Sequence, residues 1–200
     1  MNATVNATMR MKPIMRPPIL LVIVPALVLL VAANLHAGGP AWVAGAGYNP
    51  GVEGQPILWT SATVQYFTDQ GALSPILTNA QADSFVAAAI SAWTTAAGVG
   101  LSVTQGGHLA EDVNGSNVQG EFGVITAPAD ITSSATGTPL GIVYDFDGTV
   151  TDALLGQGAG DAGDCFTNAV YGGPDNFSAS GNIVHAVAVI NGVCASSNSQ

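Results

Sequence analysis

Lys and Arg are almost absent from the chain. Its only three, Arg10, Lys12 and Arg16, precede all 13 carboxylates, which lie beyond residue 37. Residues 38–200 therefore carry a formal charge of about −13, and only two of their side chains, His108 and His185, can become cationic. This charge argues against nucleic acid and anionic membranes as partners, because both need a cationic protein surface. With almost no internal ion pair available, the carboxylates must face water, cap helices, accept backbone hydrogen bonds or bind a metal.

Short catalytic motifs are also missing. The sequence contains no HExxH, no GxSxG and no Walker loop, and the serines have no motif around them. A Ser-His-Asp triad could be assembled from almost any choice of serine, so that idea has no specificity. His185 lies among apolar residues, which favours a buried or half-buried structural histidine over a ligand. His108 lies in a glycine-rich segment and is expected to be a solvated loop residue, with metal binding as the alternative.

The N-terminal segment has the pattern of an export signal. The three basic residues precede an apolar run from Ile19 to Ala33, and small residues follow at Ala33 and Ala37. The alternative is an uncleaved membrane anchor, but the run is shorter than the roughly 20 residues that span a bilayer, and Pro25 interrupts it. We therefore predict a signal peptide at 1–37, a Gly/Pro/Ala-rich linker at 38–56 and one domain at 57–200, secreted or otherwise extracytoplasmic, with no membrane contact after cleavage.

The chain has only two cysteines, Cys165 and Cys194, and both follow the predicted signal. In an oxidising compartment the default expectation is one disulfide between them. Two free buried thiols are the alternative, which export disfavours.

Hydrophobic periodicity predicts a strand, a helix and a second strand over residues 57–105. The strand at 57–67 has Val64 and Tyr66 on one face, and Thr78 with Gln81 forms a capping-box signature for the helix that follows. Spacing of four predicts that Phe85, Ala89 and Trp93 form its core stripe, with Val86 and Ile90 beside them. The next strand contains Val99, Leu101 and Val103. A helical crossover of this length predicts parallel strands.

The second half of the chain is expected to be loop-rich. Polar loops are predicted at 106–121 and 127–139, with a short strand at 122–126 between them. Asp147-Gly148 predicts a two-residue hairpin turn between strands 141–146 and 149–155. Residues 166–171 fit a strand or a short helix, and 183–190 fit a buried strand that Asn191-Gly192 ends.

Three carboxylates surround the predicted hairpin turn: Asp145, Asp147 and Asp152. The hairpin would place Asp145 and Asp152 on one face, on a diagonal, where calcium could relieve their repulsion. The spacing is not that of an EF-hand. A plain Asp-Gly turn with solvated carboxylates is the simpler alternative.

The order of these segments resembles the N-terminal subdomain of matrixin-like (metzincin) zinc metalloproteases. The segments are the first strand, the helix NAQADSFVAAAISAW, the strand VGLSV, a loop-rich middle and the late strand IVHAVAVING, and the similarity covers residues 57–195. Segments such as GIVYDFDGTVTDALLG and CFTNAVYGG are similar to exported bacterial proteins of this kind. The resemblance implies an α+β fold, with one main helix packed on a twisted mixed β-sheet.

In that family the strand corresponding to 183–190 leads into the helix that carries HExxHxxGxxH. The sequence stops at Gln200, where that helix is expected, so no zinc ligand or catalytic glutamate can be assigned to any residue. The resemblance implies zinc only in a complete domain, and a protein or peptide substrate that pairs with a strand edge. The competing function is a non-enzymatic exported domain, adhesive or structural, with calcium as its ligand.

Overall fold

A computed structural model of the protein describes residues 54, 56–95, 100–121 and 124–196. The predicted signal segment and almost all of the predicted linker lie outside the described residues, as does Val99 of the predicted second strand. The strands are β1 (Thr63–Thr68), β2 (Ser102–His108), β3 (Gln119–Glu121), β4 (Val124–Thr126), β5 (Leu140–Asp145), β6 (Val170–Phe177) and β7 (Ile183–Asn191). The α-helices are α1 (Asn79–Thr94), α2 (Thr149–Leu155), α3 (Cys165–Asn168) and α4 (Gly192–Ser196), and short 3-10 helices span Ala129–Ile131 and Ala162–Asp164.

The fold is α+β, as predicted, and is built on a mixed five-stranded sheet. The strand order is β2-β1-β5-β7-β6, and β3 and β4 form a separate antiparallel hairpin. The four strands β2, β1, β5 and β7 are parallel, whereas β6 runs antiparallel to β7. The predicted parallel crossover from β1 through α1 to β2 is confirmed, with Val64 opposite Val103.

The central strand β5 is buried on both faces, which explains its nearly continuous apolar sequence. Ile142 and Tyr144 pack with Tyr66 and the helix residues Ala82 and Val86 on one face. On the other face the core contains residues from β5, β7, α2 and the segment that follows β2, namely Val143, Val189, Val150, Leu109, Val113 and Val118.

The buried stripe of α1 differs from the one predicted. The capping box forms, because Gln81 Oε1 accepts the backbone N–H of Thr78 at 3.0 Å. However, Ala82 and Val86 are the buried residues of the helix, while Phe85 is 60% exposed and Trp93 is 57% exposed. The prediction is therefore wrong for Phe85, Ala89 and Trp93, whereas Val86 and Ile90, predicted beside them, do pack in the core. Two stripes with the same spacing of four lie side by side, and the stripe with the smaller side chains fits against the sheet.

The predicted hairpin around Asp147-Gly148 is also wrong, since the second strand is the helix α2. Gly148 precedes this helix with φ 82°, in the left-handed region that favours glycine. A Cβ at this position would lie 2.5 Å from the carbonyl oxygen of Gly160. The carboxylate of Asp145 accepts the backbone N–H groups of Val150 and Thr151. The same Asp-Gly sequence thus starts a helix, because a buried carboxylate accepts hydrogen bonds from its first turn.

The remaining elements follow the predictions in part. β7 is a buried strand that Gly192 ends, as predicted, and 166–171 contains both the end of α3 and the start of β6. The first strand is shorter than predicted, although Trp59 forms an isolated parallel bridge with Ile183. β2 continues to His108 and β3 starts at Gln119, both inside the predicted loop 106–121. Within the described ranges, no helix has the length and apolar character needed to cross a membrane.

Candidate functional site

The outer strand β6 provides a free sheet edge. One side of β6 pairs with β7, and its other side pairs with no strand among the described residues. At Gly172, where φ is 144°, an added Cβ would clash with the carbonyl oxygen of Val187. Glycine at this position therefore allows the close approach of β6 to β7. An exposed edge of this kind offers backbone groups to which an extended segment can add as a further strand.

A β-bulge interrupts β6 at Asp175. Pro174 lies opposite Ala186 and Asn176 lies opposite His185, so Asp175 is the extra residue on the β6 side. Bulges of this type change the direction of a side chain and are frequent beside functional sites.

A cavity of about 590 Å³ lies beside β6, and we call it the edge cleft. Residues of β6 form one side and the apolar residues of β7, α2, the β3–β4 hairpin and the following loop form the rest. The lining residues are Val118, Ile125, Ala127, Ile131, Thr132, Ser133, Val150, Leu154, Tyr171, Gly172, Gly173, Pro174, Asp175, Val187 and Val189. The volume lies within the range of ligand-binding pockets, and an apolar lining with few polar groups is typical of them.

Asp175 is held at the edge cleft by a buried histidine. Its Oδ1 lies 2.5 Å from Nδ1 of His185, a side chain with 0% exposure, while the Asp175 side chain is 36% exposed. Because a carboxylate only accepts hydrogen bonds, Nδ1 carries the proton. His185 Nε2 is buried and has no partner in the described part of the chain. The predicted burial of His185 is confirmed, and its visible role is to orient Asp175.

A second polar cluster joins α1 to the sheet, on the face opposite the edge cleft. Asp83 accepts hydrogen bonds from His108 Nε2 at 3.0 Å and from the Tyr144 hydroxyl at 2.8 Å. Desolvation acts to raise the pKa of Asp83, but these hydrogen bonds hold its pKa below the ordinary value. Burial, and then the hydrogen bond to Asp83, raises the pKa of Tyr144. His108 is exposed, as predicted, but it is the last residue of β2 and not part of a loop, and it is paired with a carboxylate.

Asp69 is a fully buried carboxylate at the end of β1. Its oxygens accept the backbone N–H groups of Val113 at 3.0 Å and Tyr144 at 3.0 Å, and also that of the adjacent Gln70. Burial raises the pKa of Asp69 to about 6, although these hydrogen bonds oppose the shift. The contacts connect β1, β5 and the segment after β2, so the role of Asp69 is structural.

The three carboxylates predicted to bind calcium each accept hydrogen bonds from different groups. Asp145 is buried at the start of α2, Asp147 accepts from the hydroxyl and N–H of Thr149, and Asp152 accepts from the N–H of Gly160. The face-sharing geometry predicted for Asp145 and Asp152 is wrong, because the hairpin that would create it is absent from this described segment. No cluster of three or more His, Cys, Asp or Glu side chains able to hold a metal ion occurs within the described residues. Calcium binding stays a prediction.

The predicted disulfide between Cys165 and Cys194 is present. It joins the first residue of α3 to α4, so β6 and β7 both lie within the covalent loop that it closes.

Sequence reasoning missed Asp175 and the edge cleft. Pro174-Asp175-Asn176 has the composition of a turn, and its bulge becomes visible only when β6 is paired with β7. The one available signal was His185, because a polar residue in a buried strand requires a partner.

Comparison with known proteins gives no assignment. No family model, no curated protein and no solved structure matches the chain.

Proposed function

We propose that residues 57–196 form the peptide-binding subdomain of an exported, matrixin-like zinc endopeptidase. The observation that carries the proposal is the arrangement of the last two strands. The antiparallel strand β6 has a free edge, and β7 beside it passes at Gly192 directly into the helix α4. The resemblance implies that the late strand leads into a metal-binding helix; α4 is five residues long and contains no His or Glu, so that helix would follow it.

The chain's role in this proposal is to bind an extended substrate. Backbone groups of β6 would pair with the peptide, and alternate side chains of the peptide would enter the edge cleft. The described residues offer no fitting zinc site, since His108 and His185 are each bonded to a separate aspartate. Zinc is therefore expected only in a domain that includes an HExxH helix, and no hydrolytic step is assigned to the described residues.

The reading frame downstream of Gln200 tests the endopeptidase proposal. We expect it to encode an apolar helix with HExxH, in frame with β7 and α4. An in-frame stop codon would contradict the proposal and favour a non-enzymatic exported binding domain.

Export is tested on secreted material. N-terminal sequencing should give a start near Asn34 or Gly38, after removal of the basic and apolar segment. A secreted product that begins at Met1 would contradict the predicted signal peptide.

A further inference from the structure

The edge cleft contains a single charged group. Its lining is mainly Val, Ile, Leu and Ala with Gly, Pro, Tyr and small polar residues, and Asp175 is its only Asp, Glu, Lys, Arg or His residue. An apolar cavity with one carboxylate at its side disfavours anionic groups and leaves room for apolar ones. A ligand side chain that reaches Asp175 is favoured when it carries a positive charge.

Strand geometry sets which side chains of a bound peptide would meet the cleft. A peptide added to the free edge of β6 points successive side chains to opposite faces of the sheet, so residues two apart share a face. Val187 and Val189 of β7 show this spacing on the cleft side of the sheet. The cavity of about 590 Å³ can hold more than one side chain. Two peptide side chains separated by one residue can therefore enter it together.

The carboxylate of Asp175 is oriented and available. His185 Nδ1 holds Oδ1, while Oδ2 makes no hydrogen bond with the residues that the structure describes. Partial burial reduces solvent screening around the carboxylate, which strengthens its attraction for a cation. Residues 17–200 contain no Lys or Arg that could compete for it.

We infer that the edge cleft selects extended peptides carrying a Lys or Arg two residues from an aliphatic side chain, with Asp175 as the residue that binds the cationic group. This inference rests on the proposed function, because it assumes that peptides add to β6. It gives the proposed endopeptidase a substrate class: unfolded or extended segments that combine one basic and one aliphatic residue on the same face.

Two pairs of peptides test the inference with the full chain. The first pair is Ac-Thr-Leu-Thr-Lys-Thr-amide and its twin with norleucine in place of lysine; the second reverses the order of Leu and Lys. Titration calorimetry gives the affinities, and backbone amide NMR shifts of β6 report where the peptides bind. We expect at least one lysine peptide to bind about 2- to 5-fold more tightly than its norleucine twin, the size of effect typical of a partly exposed charge pair.

Two matched variants distinguish the effect of Asp175 on peptide affinity from the effect of the net charge of the chain. Asp175→Asn keeps an oxygen that accepts from His185 and should make the affinities of each lysine peptide and its norleucine twin equal. Asp161→Asn removes the same charge from a residue that does not line the cleft and should retain the preference. The preference should also fall at high ionic strength.

The outcomes distinguish the two proposals. Equal affinities of each lysine peptide and its twin for the wild-type chain, with shifts at β6, would overturn the role of Asp175 while leaving peptide binding at the edge intact. A lysine preference that survives in Asp175→Asn would overturn it as well. Absence of binding by all four peptides would overturn both the inference and the proposed peptide-binding function.

Discussion

Burial raises the pKa of a carboxylate and hydrogen bonds to it lower the pKa, and individual carboxylates in this protein differ in which of the two effects is larger. Asp83 on α1 is partly buried, and although desolvation acts to raise its pKa, hydrogen bonds from the side chains of His108, Tyr144 and Thr68 lower it below the ordinary value. Asp69 has 0% exposure, and backbone donors do not fully offset its desolvation. The two residues therefore affect stability in opposite directions as pH changes.

Asp69 is expected to make the folded state less stable as pH rises. Its folded pKa of about 6 exceeds the ordinary value of 3.8, so the folded state binds the proton more tightly than the unfolded state does. The stability that this proton contributes is complete below about pH 4 and is lost as pH rises through about 6, an effect of about 3 kcal/mol. Urea unfolding of wild type and Asp69→Asn at pH 4 and pH 7 measures it, since Asn does not titrate.

The Asn variant also loses hydrogen bonds at every pH, and this loss adds a constant amount to the difference in unfolding free energy between wild type and variant. The informative quantity is the change with pH in the difference between the two unfolding free energies. The unfolding free energy of the variant should rise relative to that of wild type between pH 4 and pH 7. A difference that stays constant would show that Asp69 titrates normally, and Asp161→Asn provides an exposed control.

Among the secondary-structure elements, those built on regular periodicity could be predicted from sequence. The β1-α1-β2 unit and β7 have apolar patterns long enough to identify their type, and the crossover rule then determines that β1 and β2 are parallel. The helix α2 could not be predicted in this way. Its start depends on Asp145, whose hydrogen bonds to the first turn become visible only when β5 and α2 are in place.

The face of a helix is harder to predict than the helix itself, as α1 demonstrates. Val86→Ala should lower the free energy of unfolding by about 1–2 kcal/mol, because it removes two buried methyl groups. Phe85→Ala, one residue away, should change it by no more than about 0.5 kcal/mol, as expected for an exposed position. Urea unfolding of both variants gives the comparison. A larger loss for Phe85→Ala would mean that the aromatic stripe is covered in solution.

The edge cleft lies beyond sequence prediction for a related reason. Its lining comes from several separate segments between Val118 and Val189, and no local pattern connects them. The shared face predicted for Asp145 and Asp152 is absent for the same reason, since Asp145, Asp147 and Asp152 are close in sequence but accept hydrogen bonds from different groups.

At the scale of the whole molecule, one covalent bond closes the part of the chain that forms the cleft edge. Cys165 and Cys194 are 29 residues apart, and the loop between them contains β6 and β7. Replacing both cysteines with serine should lower the free energy of unfolding by about 3–4 kcal/mol in the chain-entropy account. Urea unfolding of the double variant measures this, with reduced wild type as the control. Equal stability of oxidised wild type and the variant would show that the bond contributes nothing.

The position of Asp175 in the edge cleft also affects whether one copy of this protein can bind another. A cleft that selects basic side chains finds none in residues 17–200 of a neighbouring copy. Under the proposed peptide selectivity, residues 17–200 of one copy would therefore be a poor ligand for the next, even where a strand or loop becomes exposed. If the chain belongs to an exported endopeptidase, as proposed, the absence of Lys and Arg from residues 17–200 would make one copy a poor substrate for another.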